Sequence, residues 1–272
     1  MTEQKANLEV EVKNWLESQG YPLEMKVASE FQKSGFDIQQ SFYYMDPDTN
    51  KFREIDVIAT KGLYTGKVFA HIRFIIECKT SKRKPWVVFT RKNKIIDYEY
   101  YDWYCTSKMG WDYVLHASIE GLFDGIETTF HKRATIGYGI TQAFTTGEDI
   151  TYKALNTVRN CAIAYAKCAN NHKLDMVEII VPVVVFEGEL FEAHLDKNEV
   201  LTKRVDESVV LWHSALGNET GIGIHILTYK HLPTFAKLAG LSAERICDDW
   251  KNNLETILSE MHHNRSELSI EG

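Results

Sequence analysis

Proline is scarce in this 272-residue chain, at five residues, and no low-complexity tract or fixed-period repeat is present, so nothing marks a long flexible linker. The five cysteines, at positions 78, 105, 161, 168 and 247, form an odd set without a CxxC pair. Neither a disulfide framework nor a zinc knuckle is expected from them; free thiols in a reducing compartment are. No apolar run approaches the roughly 18 residues of a membrane span. The polar start MTEQKANLEVEVKN also lacks the apolar core of a secretion signal, so a cytoplasmic protein with no membrane partner is expected. The ten histidines contain no HExxH pattern, which removes the usual signature of a zinc hydrolase. Excess positive charge is missing too: 31 Lys and Arg face 38 Asp and Glu, for a net charge of -7. That balance excludes a protein that coats DNA by bulk charge, while leaving room for a local basic surface.

What is present is the composition of a folded globular chain, 44% hydrophobic, with length for one large domain or two small ones. Leu8, Val12, Trp15 and Leu16 recur at helical spacing; Gly20, Tyr21 and Pro22 break the chain before a second helix at 23–33, which Gly35 ends. Strands follow at 38–45, 54–60 and 69–78, the first two separated by the turn Asp46-Pro47-Asp48-Thr49-Asn50. Thr146 and Asp149 can start a long helix that runs to about Asn170. The β-branched run 177–186 reads as a strand buried on both faces, which Glu187-Gly188 turns into another at 190–195. The expected fold is α/β, in the order α-β-β-β-α-β, with a central mixed sheet flanked by helices. Residues 1–195 form this core and include an insertion at about 85–144. Residues 196–272 add a last strand, at 222–229, and two helices, at 232–239 and 243–261.

Four residues carry most of the functional information: Glu30, Asp56, Glu77 and Lys79. Alternation puts Glu54 and Asp56 on one face of their strand, with Ile55, Val57 and Ala59 on the other. Glu77 and Lys79 share a face of the next strand. A hairpin turning near 65–67 then brings Asp56 and Glu77 opposite one another to within about two residues. Carboxylates in so apolar a setting as Phe74-Ile75-Ile76 need compensation. A divalent cation supplies it: magnesium takes one or two carboxylates plus water and phosphate, and can both generate hydroxide and offset phosphate charge. The backbone oxygen of Cys78, between Glu77 and Lys79, is the third candidate ligand. Glu30 has a second reading, because Lys26 and Lys33 stand at i-4 and i+3 and would make it an ordinary ion-pair residue. Glu54 is an alternative or supporting carboxylate.

The pattern Glu30, then Glu54-Ile55-Asp56-Val57, then Ile76-Glu77-Cys78-Lys79 resembles the PD-(D/E)XK nuclease superfamily. The likeness covers roughly residues 20–90 by motif and extends to about 195 by element order. It is nearest to the branch of Holliday-junction resolvases and methyl-directed restriction enzymes, where Ile replaces the name-giving Pro, as Ile55 does here. The resemblance implies a restriction-endonuclease-like core and a magnesium-dependent deoxyribonuclease, with manganese as a substitute ion, acting in restriction, phage defence or repair. It assigns metal binding to Asp56 and Glu77, assistance of the attacking water to Lys79, and completion of the site to the helical Glu30. DNA is the expected partner. The alternatives are an RNA nuclease effector, or a nuclease-like binding or assembly module without cleavage; a homodimer or a protein partner fits any of these.

Ten basic residues and one acid lie between Lys61 and Lys94, so positive charge is segregated beside the acidic pattern. Lys82, Arg83, Lys84, Arg91 and Lys92 are the candidate phosphate contacts, against the usual reading of a charge run as a solvated loop. Tyr98, Tyr100, Tyr101, Trp103, Tyr104, Trp111 and Tyr113 crowd the start of the insertion. A local aromatic core is the expectation for them and base stacking the alternative, since Asp97, Glu99 and Asp102 would repel a phosphate backbone.

Overall fold

A computed structural model describes residues 2–92, 104–121, 135–147, 149–212 and 221–268. Helix α1 (Thr2–Ser18) leads into α2 (Tyr21–Lys33), where Pro22 occupies the first turn and forfeits no helical hydrogen bond. Leu23, Val27, Ala28 and Phe31 form the buried stripe of α2. Strands β1 (Asp37–Met45), β2 (Phe52–Tyr64) and β3 (Val68–Lys92) follow as an antiparallel meander. The turn after β1 is tied by Asp46, whose carboxylate accepts from the backbone N–H of Asp48 and Thr49 at 2.9 and 3.1 Å. Next come β4 (Cys105–Thr106), α3 (Lys108–Ile119), β5 (Thr135–Gln142) and α4 (Ile150–Asn170). Asp149 caps α4, accepting from Thr151 N–H at 2.9 Å. Strands β6 (Asp175–Asp196), β7 (Glu199–Val205), β8 (Glu207–Trp212) and β9 (Ile222–Thr228) and helix α5 (Leu232–Leu268) complete the described chain.

The expected mixed α/β architecture is present: one large mixed sheet with helices on both faces. Its spine is the parallel pairing of β3 with β6. Helices α2, α3 and α5 cover one face, packing Phe31, Tyr113 and Trp250 toward Phe74 and Ile76. Helix α4 covers the other, setting Ala154, Leu155 and Val158 with Ile58, Ile75 and Val184. Among the described residues no helix is long and apolar enough to cross a membrane.

Four boundaries differ from the sequence expectation. Strand β3 is 25 residues long; its last part pairs with β5 and β6, so 85–92 and 135–142 belong to the sheet and not to an insertion. Pro85 is tolerated because it lies where the β3–β6 register shifts between Ser81 and Trp86. Glu187-Gly188 makes no turn, and β6 continues through it for 22 residues. Gly188 instead permits close approach, since a Cβ there would stand 2.6 Å from the Ser81 carbonyl oxygen. The C-terminal region holds β7 and β8 as well as the expected last strand, and its two expected helices are one. Gly240 does not interrupt α5; it lets the helix pass the end of α2, where a Cβ would lie 2.5 Å from the Ser34 carbonyl oxygen.

Gly188→Ala is expected to destabilise the protein by about 1–3 kcal/mol, because the added methyl meets backbone and the Phe186 ring rather than a flexible side chain. Gly147→Ala, with nothing within 4 Å of its added carbon, is the matched control and should be near neutral. Urea unfolding of both variants checks this; equal stability would show that the β3–β6 approach is looser than described.

The candidate active site

The β2–β3 ladder ends at the rung Val57–Ile76, and one step further the register sets Asp56 opposite Glu77. No backbone rung forms there. The Asp56 carboxylate takes its place and accepts the Cys78 N–H at 2.6 Å. On the other side, the β1–β2 ladder passes from Gln40–Val57 to Phe42–Ile55, omitting Ser41, which has φ of 50° and would have faced Asp56. Strict alternation therefore fails at this residue: Val57 and Ala59 pack beneath α2 and α5, as expected of one face, but Ile55 packs on the α4 side. The irregularity frees Asp56 from both neighbouring strands.

Glu77 and Lys79 project together, and the Lys79 ammonium donates to Glu77 Oε1. Glu77 is 7% exposed, and its Oε2 is buried with no hydrogen-bond partner among the described residues. Burial, reinforced by the charge of Asp56 and opposed by Lys79, pushes the Glu77 carboxyl up to about 7. Asp56 is also raised by burial, partly offset by the Cys78 N–H and Lys79. Lys79 is raised despite its burial, because Glu77 and Asp56 favour its charge.

The helical glutamate that belongs to this cluster is Glu24, not Glu30. Glu24 is raised by burial and then by the charges of Asp56 and Glu54, and it in turn acts on Glu77 and Cys78. Glu30 lies further along α2 and accepts from Lys33 at 2.7 Å, the ion-pair reading. A helical wheel could have separated them: Leu23, Val27 and Ala28 surround Glu24 at i-1, i+3 and i+4, centring it on the buried stripe, whereas Glu30 falls at its margin. Glu54 stands within electrostatic reach of Asp56 and of the Tyr43 hydroxyl, whose pKa it raises.

Among the described residues no three His, Cys, Asp or Glu side chains are grouped to hold a metal ion. The donors nevertheless suit magnesium, which is satisfied by one or two carboxylates and completes its shell with water and phosphate. Asp56 and Glu77 are the carboxylates that could supply these oxygens, and Glu77 Oε2 is buried with no hydrogen-bond partner among the described residues. The Cys78 carbonyl lies on the strand edge that carries its N–H, facing Asp56 beyond the end of the ladder.

The basic residues do not form one patch. Lys82 pairs with Glu187 of β6 at 3.1 Å, an acid that only the fold brings near it. Lys84 reaches Thr145 Oγ1 at 3.3 Å, and Arg73 is committed to the buried Glu178. Arg83, Arg91 and Lys92 are exposed and have no acidic partner among the described residues. Arg83 follows Lys79 by four residues, whereas Arg91 and Lys92 lie beyond the register shift between Ser81 and Trp86. Of the aromatic cluster, Tyr113 is fully buried against Trp250 and donates to Asp249 at 2.8 Å, and Tyr104 is buried, both as packing requires. Trp111 is partly buried, while Tyr98, Tyr100, Tyr101 and Trp103 lie outside the described residues. All five cysteines are free. No family model, curated protein or solved structure matches the chain.

Because the folded state holds the Glu77 proton to about pH 7, against an ordinary value of 4.5, it binds more protons than the unfolded chain between these limits. The Glu77 contribution to stability therefore falls as pH rises through that window and is flat above it. Glu77→Gln should gain about 1–3 kcal/mol on wild type between pH 5 and pH 8 in chelator. Urea unfolding at both pH values measures it, and a difference that does not change with pH would contradict the raised carboxyl.

Proposed function

We propose that this chain is a magnesium-dependent nuclease of the PD-(D/E)XK type, with a restriction-endonuclease-like core, that hydrolyses phosphodiester bonds in cytoplasmic DNA. The observation that carries the reading is the meeting of Asp56, Glu77 and Lys79 at the end of the β2–β3 ladder, with one buried Glu77 oxygen left without a partner. The order α2, β1–β2–β3, α4, β6, with β6 parallel to β3, supports the same reading.

Asp56, Glu77 and the Cys78 carbonyl would hold the cation. When bound, magnesium neutralises phosphate charge and makes water acidic enough to attack at neutral pH. Lys79, oriented by Glu77, stabilises negative charge gathering on the phosphate oxygens as the bond to the leaving 3' oxygen breaks. Glu24, whose carboxyl is raised by burial and by the charges of Asp56 and Glu54, stands beside the cluster where it can pass a proton. Arg83 is near enough to steady the adjacent backbone phosphate.

Asp56→Ala and Glu77→Ala should each reduce magnesium-dependent DNA cleavage by at least about a thousandfold without loss of fold. Lys79→Ala should lower turnover by orders of magnitude with a much smaller effect on DNA affinity. Glu24→Gln should slow cleavage by about tenfold or more, and Glu30→Gln should leave it unchanged. Single-turnover assays with magnesium and with chelator, on DNA and RNA in parallel, test all four; undiminished cleavage by the Asp56 or Glu77 variant refutes the site.

The salt dependence of DNA affinity separates the basic residues. Arg83→Ala should flatten the log–log slope by about 1, the signature of one lost phosphate contact. Lys82→Ala should change it little, because Glu187 already neutralises that ammonium. Binding titrations over a range of salt concentrations, in calcium to prevent turnover, give both slopes; an unchanged slope for the Arg83 variant would return the segment to a solvated surface.

A further inference from the structure

A cavity of about 560 Å³ opens between β1 and the C-terminal end of α4, and the proposed cleavage chemistry makes no use of it. Its walls are aromatic. Phe42 and Tyr165 meet there with ring centroids 6.1 Å apart and planes tilted by 43°. Tyr44 forms a third wall, fixed by its hydroxyl, which donates to the Thr157 carbonyl at 3.1 Å. Tyr165 is held from behind by the Arg73 guanidinium, 5.1 Å from the ring centroid, and Arg73 is itself locked on the buried Glu178 at 2.7 Å. These surfaces are set before any ligand arrives, and Phe42 is still 37% exposed.

The polar lining is as selective. Asn50 and Asn171 bring two carboxamides, and Lys167 is the one charged side chain that lines the cavity. None of the three has a side-chain hydrogen-bond or ionic partner among the described residues. Asp46, between the lining residues Met45 and Pro47, is occupied by Asp48 and Thr49 N–H and by the Asn160 amide. Flat apolar walls, donor–acceptor amides and one unpaired cation describe a planar heterocycle that bears an anion.

We propose that this cavity binds a nucleotide, with its base stacked on Phe42 and Tyr165, the base edge met by Asn50 and Asn171, and its phosphate met by Lys167. A saturated chain would make no use of the two amides or the ammonium, and a sugar alone would waste the aromatic walls. The chemistry is shared by a free mononucleotide and by an unpaired base in a strand. The site does not depend on the nuclease reading, because binding here needs neither the metal nor Asp56 and Glu77.

The test is made on the full chain in chelator, so that no turnover can occur. Calorimetric titrations use the four nucleoside monophosphates, their nucleosides and a short single-stranded oligonucleotide. Saturable binding of at least one monophosphate is expected if the ligand is a free nucleotide; binding of the oligonucleotide alone identifies an unpaired base. Phe42→Ala should weaken binding by about tenfold or more, the loss of a stacked contact. Lys167→Ala should reduce nucleotide affinity to that of the nucleoside and leave the nucleoside unchanged. Bound ligand should also protect Cys168, which lines the cavity and is exposed while the other four cysteines are buried, from alkylation. Unchanged melting temperatures confirm that the variants fold. The proposal is overturned if no nucleotide or oligonucleotide binds, if binding survives both substitutions, or if laurate binds and nucleotides do not.

Discussion

The parallel pairing of β3 with β6, from Val68–Asp175 to Phe89–Ala193, is the constraint on which the other elements depend. Two parallel neighbours cannot be joined by a tight turn, so the chain between them must cross the sheet, and α4 is the long helix of that crossover. A crossover helix on one face, with α2, α3 and α5 on the other, buries both sides of β6 and explains its near-continuous apolar run. Glu77, Cys78 and Lys79 are then fixed as rungs against Val184, Val185 and Phe186 in the middle of the sheet. Charged groups so mounted have little freedom to relax away from one another.

That rigidity sharpens the conflict at the candidate site. Asp56, Glu77 and Glu24 surround a single ammonium, that of Lys79, and burial is the largest cause of the raised pKa of each carboxyl. An apolar or amide substitute would suit the isolated fold better. The protein keeps instead an acidic cluster and, among the described residues, a buried oxygen without a partner, an arrangement that the proposed cation and anionic substrate would compensate.

The irregularity between Ser41 and Asp56 links the two surfaces that the functional proposals concern. Omitting one rung of the β1–β2 ladder releases the Asp56 carboxylate toward Cys78. It also changes the phase of both strands, so that Ile55 joins the core on the α4 side and Phe42, its partner, turns to the cavity under α4. Tyr44, two residues on, lines that cavity and feels the charge of Glu77 among the groups that raise its hydroxyl pKa. A single skipped rung, with no shift of register, thus sets the phase of both the acidic cluster and the aromatic wall.

The strands at β1, β2 and the first part of β3, the Asp149 cap of α4 and the buried run of β6 were legible in the sequence, because each follows from local β propensity, capping or hydrophobicity. So was the approach of Asp56 to Glu77, since hairpin register is a matter of counting from the turn. The continuation of β3 beyond Pro85, the straight passage of β6 through Gly188 and the unbroken α5 at Gly240 were not. At those places Pro and Gly answer to a register shift or to a neighbouring backbone, and a sequence does not state what lies across from it. The place of Glu24, rather than Glu30, at the site was within reach of the sequence, because the apolar stripe of α2 centres on Glu24. The pairing of Lys82 was not legible because its partner, Glu187, is distant in sequence and adjacent only through the β3–β6 pairing. Local chemistry determined the elements and the reactive residue types. Which charges stand together was decided by strand pairing, because a contact between distant residues depends on the register and packing that only the assembled sheet supplies.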